Sequence, residues 1–267
     1  MTDRTHAIVL RVYPYSRTSH VVIWLSPALG RMVTLVKGAL RPKSRFLGQY
    51  DLFYTCELVY YTRERNGIHI LKECSPINYR PGLRDRWRSA MTASYAAELA
   101  NRTSVPGPDH QGLFALTGHL LDHLNTNPPT AALVSWFEIR WMGQLGWAPQ
   151  LTGCTACNKG LTGQTNAWFN PAWGGLKCPD CAGHSNSTDT WQLTPDLLAI
   201  LRSWQDTPHP DTPAKTFCHP TQVLALQAFL GSILDYHLDL QTASRSMVMD
   251  LLKPDRTRRT EQPCVAP

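Results

Sequence analysis

Four cysteines stand in two C-x-x-C pairs, Cys154 with Cys157 and Cys178 with Cys181, and twenty residues separate the pairs. Thiols three positions apart can both turn toward one ion when the backbone between them makes a tight turn. Two such knuckles supply the four thiolates of a tetrahedral shell at about 2.3 Å per bond. The flanks suit that geometry: Gly153, Gly160 and Gly163 mark the first knuckle, and Trp168, Phe169, Trp173, Gly174 and Gly175 lead into the second. Small residues let backbone amides approach sulfur, and aromatics give a small module something to pack on. The spacing is that of a ribbon-like zinc module. A closed four-thiolate shell leaves no position for water or substrate, so the expected ion is one structural Zn2+. His184 is near enough to replace a cysteine, but four cysteines already fill the shell. A redox C-x-x-C would need one pair at the mouth of a βαβ unit, and none is indicated nearby. Disulfides would need an oxidising compartment, whereas residues 1–15 include Asp3, Arg4, His6 and Arg11 and lack the apolar core of a signal peptide.

The second chemistry is electrostatic. Net charge is +6, and its distribution says more than its sum: residues 1–90 hold 15 Lys and Arg against 6 Asp and Glu, while residues 91–253 hold 8 against 12. A local excess of this size is the footprint of a polyanion binder, usually nucleic acid, against the blander reading of ordinary solubility charge. Within the basic third, residues 37–48 set Lys37, Arg41, Lys43 and Arg45 around Pro42 and Phe46, with Gly38 and Gly48 as flexible ends. Cations on such a loop can track phosphates while Phe46 or Tyr50 stacks a base, although core packing is the commoner fate of either ring. Arg63 and Arg65 could extend the track, and Arg80, Arg84, Arg86 and Arg88 carry the charge into the next element, as DNA contacts or as the solvated start of a helix. The stretch is not a phosphate-cradling loop. Before Lys43-Ser44, Pro42 stands where the second glycine must be and removes an amide donor.

The elements that must hold these groups can be read coarsely. Residues 7–13, 19–26, 31–37, 50–62 and 68–73 are rich in Val, Ile, Leu, Thr and aromatics and are punctuated by Pro27, Gly30, Gly38 and Gly48. Asn66-Gly67 between the last two runs is the dipeptide of a tight hairpin. Five strands in so short a span predict a small barrel, OB or SH3-like, and strand count does not decide between them. Cys56 and Cys74 lack partners at metal spacing and read as buried thiols. Helices are expected over 84–101, 111–124 and 130–145, with breaks at Pro106-Gly107-Pro108 and Pro128-Pro129. Leu133, Phe137, Trp141 and Leu145, four apart, fall on one face and read as a core stripe. Helices resume after the cysteines: Thr194 is a plausible N-cap before Pro195, with Leu197, Leu198, Leu201 and Trp204 forming an apolar face. A Pro-rich linker over 208–213 leads to a helix from near Pro220 carrying Val223, Leu224, Phe229, Leu230, Ile233 and Leu234, and Cys218-His219, which lacks a matching second pair, also reads as linker. No apolar run approaches a membrane span, so a soluble, cytoplasmic protein is expected. The expected class is α+β multidomain: barrel over 1–80, helical domain over 81–150 and 187–253, a four-cysteine module inserted over 151–186, and a polar, disordered tail over 254–267 with Arg256, Arg258 and Arg259.

These pieces resemble, in order and spacing, the RecO family of bacterial recombination and DNA-repair mediators over nearly the whole chain. The matching residues are Ala7-Ile8-Val9-Leu10, Lys37-Gly38-Ala39 with Lys43-Ser44-Arg45-Phe46, Leu145-Gly146-Trp147-Ala148-Pro149 running into Cys154, and Gly174-Gly175-Leu176-Lys177-Cys178-Pro179-Asp180-Cys181. The resemblance implies an N-terminal OB-fold domain followed by a helical domain with an inserted zinc module. It also implies a non-enzymatic, nucleoid-associated mediator. Such a protein binds single- and double-stranded DNA, anneals complementary strands, binds RecR, contacts the acidic C-terminal tail of the single-stranded-DNA-binding protein, and helps load RecA. For that tail an apolar groove with a nearby cation is expected, with Trp136, Arg140 and Trp141 as candidates. Zinc is not kept in every branch of the family, but all four cysteines are present here; the Pro-rich linker and basic tail are less family-like.

Two rival functions share some of these features. A zinc-ribbon RNA-binding or transcription-associated module would also carry a basic barrel and a metal. A zinc-dependent hydrolase or nucleotidyl-transferring enzyme would need an open coordination site, His-Glu-x-x-His or a phosphate loop, and the sequence has none of them.

Overall fold

The computed structural model describes residues 2–62, 67–161, 166–183, 190–238 and 243–253. It opens with five strands, β1 (Thr2–Ser16), β2 (Ser19–Ser26), β3 (Gly30–Val36), β4 (Thr55–Tyr61) and β5 (Ile68–Asn78). β1 is too long for one partner: residues 2–8 pair with β4 and residues 8–16 with β2. An irregularity between Val9 and Arg11 marks the transition, as a β-bulge does where a strand bends. β3 and β5 meet in a short parallel ladder, from Val33 opposite Ile68 to Leu35 opposite Ile70, and close the barrel in the order β1-β2-β3-β5-β4. That order is OB-like and resolves the choice left open by strand count. β4 and β5 pair antiparallel as the hairpin signal predicts; Asn66 itself lies outside the described residues.

The uninterrupted apolar run at residues 7–10 is explained by burial on both faces of β1. Ala7 and Val9 point into the barrel with Val22, Trp24, Met32, Leu58 and Leu71, whereas Ile8 and Leu10, with Ile23 and Leu25 of β2, pack outward in the core of the helical half. At about 1.5–3 kcal/mol per buried aliphatic side chain, these four outward residues outweigh any surface ion pair at the seam. Arg80, grouped on sequence with the surface arginines, is a buried pin between the halves. Its Nε donates to Asp122 Oδ1 at 2.7 Å and its Nη1 to Phe53 O at 2.6 Å and Thr55 Oγ1 at 2.9 Å.

The next helices are α1 (Gly82–Asp85), α2 (Trp87–Thr103), α3 (Gln111–Thr126) and α4 (Ala131–Gln144). The single helix expected from residue 84 is broken at Arg86, whose φ of −118° and ψ of 92° are extended. A small sheet follows, built from β6 (Gln150–Cys154), β7 (Ala167–Asn170), β8 (Gly175–Lys177) and β9 (Trp191–Leu193) in the order β6-β8-β7-β9, with the short α5 (Pro179–Ala182) after β8. The described residues then continue through α6 (Pro195–Asp206), α7 (Asp211–Lys215), α8 (Pro220–Leu238) and α9 (Ala243–Leu251). The Pro-rich 208–213 stretch is thus no free linker: Pro213 is buried, and Thr207 O accepts from the Trp136 indole at 2.9 Å. The expected tail over 254–267 lies outside the described residues.

Thr130 caps α4, its Oγ1 accepting from Leu133 N at 3.1 Å. The stripe predicted on α4 understates its burial, because residues 131–139, Trp141 and Met142 are all buried. A helix apolar all round must be central, and α3, α6, α7 and α8 surround this one. In its middle sits a fully buried Glu138, which accepts from Tyr95 Oη at 2.6 Å and from Arg245 Nε and Nη2 at 2.7 and 2.9 Å. A Cβ at Gly231 would lie 2.6 Å from Arg245 Nη1, so a side chain there would have to displace the guanidinium. No helix among the described residues is long and apolar enough to cross a membrane. Removing one partner of a buried pair strands the other, so Arg245→Ala should lower unfolding free energy in denaturant titrations by about 3–5 kcal/mol, and pairing Arg245→Met with Glu138→Leu should restore most of it. A single variant as stable as the parent would show that the pair is not holding α9.

Candidate metal centre and nucleic-acid interface

The first knuckle is a turn closing β6: Cys154 N donates to Lys159 O and Asn158 N to Cys154 O, each at 2.9 Å. The second is the junction of β8 with α5, where Cys178 precedes Pro179 and Cys181 N donates back to Cys178 O at 3.1 Å. Together they bring all four sulfurs within 4.8 Å of one another. Four sulfurs about 2.3 Å from one central ion stand about 3.8 Å apart. The Cys157 and Cys178 sulfurs are separated by 3.8 Å, so the donor set fits one tetrahedrally held metal ion. Burial pushes the Cys154 thiol up, but amides of Cys178, Cys157 and Ala156 hydrogen-bond its sulfur and bring it down to about 6. Hydrogen bonds with Cys178 and Cys157 push Cys181 up to about 12. Clustered thiolates repel one another, and a bound dication removes the reason for any of the four to keep its proton.

The rest of the module is built to carry this cluster. Leu151, Phe169, Leu176 and Leu193 are buried, with Phe169 edge-on to Phe229 of α8 at a ring separation of 4.8 Å. Arg202 of α6 ties the module down, donating to Leu151 O and Leu161 O at 2.7 Å each. β8 passes close to β6: a Cβ at Gly175 would meet Thr155 Cγ2 at 2.8 Å and Gln150 O at 2.9 Å. His184 lies outside the described residues.

The basic loop between β3 and β4 is a chain of turns hung on two plugs. Ala39 and Phe46 are buried in the barrel core, and Arg41 N, Ser44 N and Leu47 N donate to Gly38 O, Arg41 O and Ser44 O at 3.2, 2.9 and 3.3 Å. Lys37, Arg41, Lys43 and Arg45 all point to solvent, and none makes an ion pair among the described residues. Phe46 is therefore core rather than a stacking ring. Tyr50 is held too, with its hydroxyl 2.8 Å from His20 Nδ1 and its ring edge-on to Trp24. The remaining predicted contacts are more scattered. Arg84 is exposed but already paired, with Nη2 at 2.6 Å from Asp51 Oδ2 and 2.7 Å from the Tyr54 hydroxyl. Arg86 donates to Asn125 O at 3.2 Å, and Arg88 lies 5.5 Å from the Trp87 ring centre. Arg63 and Arg65 lie outside the described residues.

The groove expected from Trp136, Arg140 and Trp141 is not formed by those three. Both tryptophans are fully buried, and the Trp141 indole donates to Thr103 Oγ1 at 2.9 Å. Arg140 alone borders a cavity, of about 400 Å3, with Gly143, Gln144, Pro149, Gln150 and Gln205. Cys56 and Cys74 are buried thiols as expected, both directed at Gln49 O, at 3.6 and 3.5 Å. What sequence reading passed over is the exposed end of the β1–β2 hairpin, with Arg11, Tyr13, Tyr15 and Arg17. The signal was present: residues 4–50 hold eight Lys and Arg and no Asp or Glu.

Comparison with known proteins agrees with this architecture. The family described as Recombination protein O N terminal matches residues 1–80, and Recombination protein O C terminal matches residues 84–246. The chain is 34% identical to the DNA repair protein RecO of Roseiflexus sp. over 207 residues, 77% of this chain and 70% of that one. It is 28% identical to that of Syntrophus aciditrophicus over 199 residues, 74% of each chain, and 24% identical to that of Moorella thermoacetica over 257 residues, 93% of this chain and 91% of that one. With both family regions matched in order over the barrel and the helical half, the chain belongs to the RecO family of recombination and DNA-repair proteins.

Proposed function

We propose that the chain is a recombination mediator of the RecF-pathway type, which binds single- and double-stranded DNA, anneals complementary strands and, with RecR, helps load RecA onto strands coated by the single-stranded-DNA-binding protein. The observation that carries the DNA-binding step is the loop of Lys37, Arg41, Lys43 and Arg45, four exposed cations without a carboxylate partner among the described residues. Two DNA strands repel through their phosphates. A surface that neutralises both lowers the repulsion and raises their local concentration, so annealing asks for charge and position rather than a nucleophile or an acid–base pair. Arg86 and Arg88 are second-rank contacts, and Arg84 would have to leave Asp51 to join them. For the acidic tail of the coating protein, support comes from Arg140. Its guanidinium borders the adjoining cavity and makes no ion pair among the described residues, which sets a cation beside that cavity for a carboxylate. The metal is read as one structural Zn2+, since four thiolates in tetrahedral array suit zinc and leave no open position for chemistry.

Two expectations test these readings. In anisotropy titrations across a salt series, Arg41→Glu with Lys43→Glu should weaken binding to every DNA sequence alike and flatten the slope of log affinity on log salt by about 1.4 for single strands, two contacts at about 0.7 each. Sequence-selective loss, or an unchanged slope, would contradict the phosphate track. Cys154→Ala should release zinc in metal analysis and lower the melting temperature of the protein; loss of metal with an unchanged melting curve would show the site to be dispensable for folding.

A further inference from the structure

The outer arm of the β1–β2 hairpin exposes more than a solvated edge requires. β1 leaves β4 at Ile8, so from Arg11 onward it pairs only with β2 among the described residues. Val12 turns inward against the barrel core, while Tyr13 is 37% and Tyr15 66% exposed. A second irregularity, between Pro14 and Ser16, leaves Tyr15 with no residue opposite it; bulges of this kind re-aim a side chain. The Arg11 guanidinium lies 4.9 Å from the Tyr13 ring centre. Two neighbouring aromatics on an unpaired edge invite aggregation unless a partner covers them.

The surroundings specify that partner. Arg11 and Arg17 flank the tyrosines, and the hairpin tip is joined to the basic loop, with Leu40 N donating to Thr18 O at 3.1 Å and Gly38 N to Ser19 Oγ at 3.3 Å. With no carboxylate anywhere in residues 4–50, the occupant is anionic. Exposed rings ask for a planar apolar face as well. Single-stranded DNA offers both at every nucleotide, whereas a duplex hides its base faces and an acidic peptide offers a planar face only where it carries an aromatic residue. We propose that Tyr13 and Tyr15 form a base-stacking platform for single-stranded DNA whose phosphates lie along Arg11, Arg17 and the basic loop. This rests on the DNA-binding reading above and adds to it a source of preference for single strands. Stacked on the hairpin, bases keep their pairing edges outward for an incoming strand.

The test uses the full chain, a labelled oligo-dT, and a duplex of equal length. Tyr15→Ala should weaken oligo-dT binding about tenfold, the low end of a stacking contact, with no change in the salt slope. Duplex affinity should stay within twofold, Tyr15→Phe should bind like the parent, and the variants should melt like the parent. Irradiating the parent with a 5-iodouracil-substituted strand should place crosslinks on the peptide carrying Tyr13 and Tyr15. Equal losses for strand and duplex, an unchanged Tyr15→Ala together with an unchanged Tyr13→Ala, or crosslinks confined to other peptides would overturn the platform while leaving the phosphate track intact. A parent chain that binds neither DNA at low salt would overturn both.

Discussion

The constraint on which the structure depends is the burial of β1 and β2 on both faces. Residues 7–10 and 22–25 fill the barrel with one set of side chains and the helical core with the other. That seam consumes one wall of the barrel. A small barrel commonly offers a face for ligands; here the helices occupy one wall, and the surface proposed above for DNA is the end where the hairpin and the loop between β3 and β4 emerge. Arg80 reinforces the arrangement beside that seam, because its guanidinium ties Phe53 and Thr55, the latter paired with Ile8, to Asp122 of α3.

Charge and metal are kept apart by the same plan. The cations sit on turns whose positions are set by buried plugs at Ala39 and Phe46, so they need no ion pairs to hold them in place. The four thiols sit on a separate sheet, fastened to α6 by Arg202 and to α8 through Phe169 and Phe229. A metal ion there would stabilise the sheet that α6 and α8 pack upon, and it would do so without reaching the basic end of the barrel. Folding support and the proposed DNA binding can then be perturbed separately.

Much of this was legible in the sequence where the interacting residues are close in the chain. Two C-x-x-C pairs encode the sulfur cluster directly, because each knuckle is a local turn, and the strand runs encode a barrel through their composition. The misreadings arose where a partner is far away or where a pattern is ambiguous. Arg80 resembles Arg84, Arg86 and Arg88 until Asp122, on another element, is brought against it. Arg84 loses its freedom to Asp51, which the sequence places inside the strand-like run of residues 50–62 with no stated role. Leu133, Phe137 and Trp141 four apart look like one apolar face, yet the residues between them are buried too, and only the neighbouring helices reveal that α4 is central. The 208–213 prolines read as a linker because proline marks breaks, but Pro213 is buried and His209 packs against His119 of α3. The hairpin end carries no strand signal because composition marks strands only over 7–13 and 19–26, leaving Tyr15 and Arg17 between them, and what its outer face lacks, any carboxylate, is visible only as an absence.

The central claim is that uncompensated positive charge at one end of the barrel draws complementary strands together. Its most direct test is fluorescence-monitored annealing of two complementary oligonucleotides, each coated with single-stranded-DNA-binding protein, with and without this chain across a salt series. The account predicts acceleration that is strongest at low salt, fades as counterions compete, and is lost when Arg41 and Lys43 are both replaced by Glu. No acceleration at low salt by a folded, metal-loaded chain would contradict it.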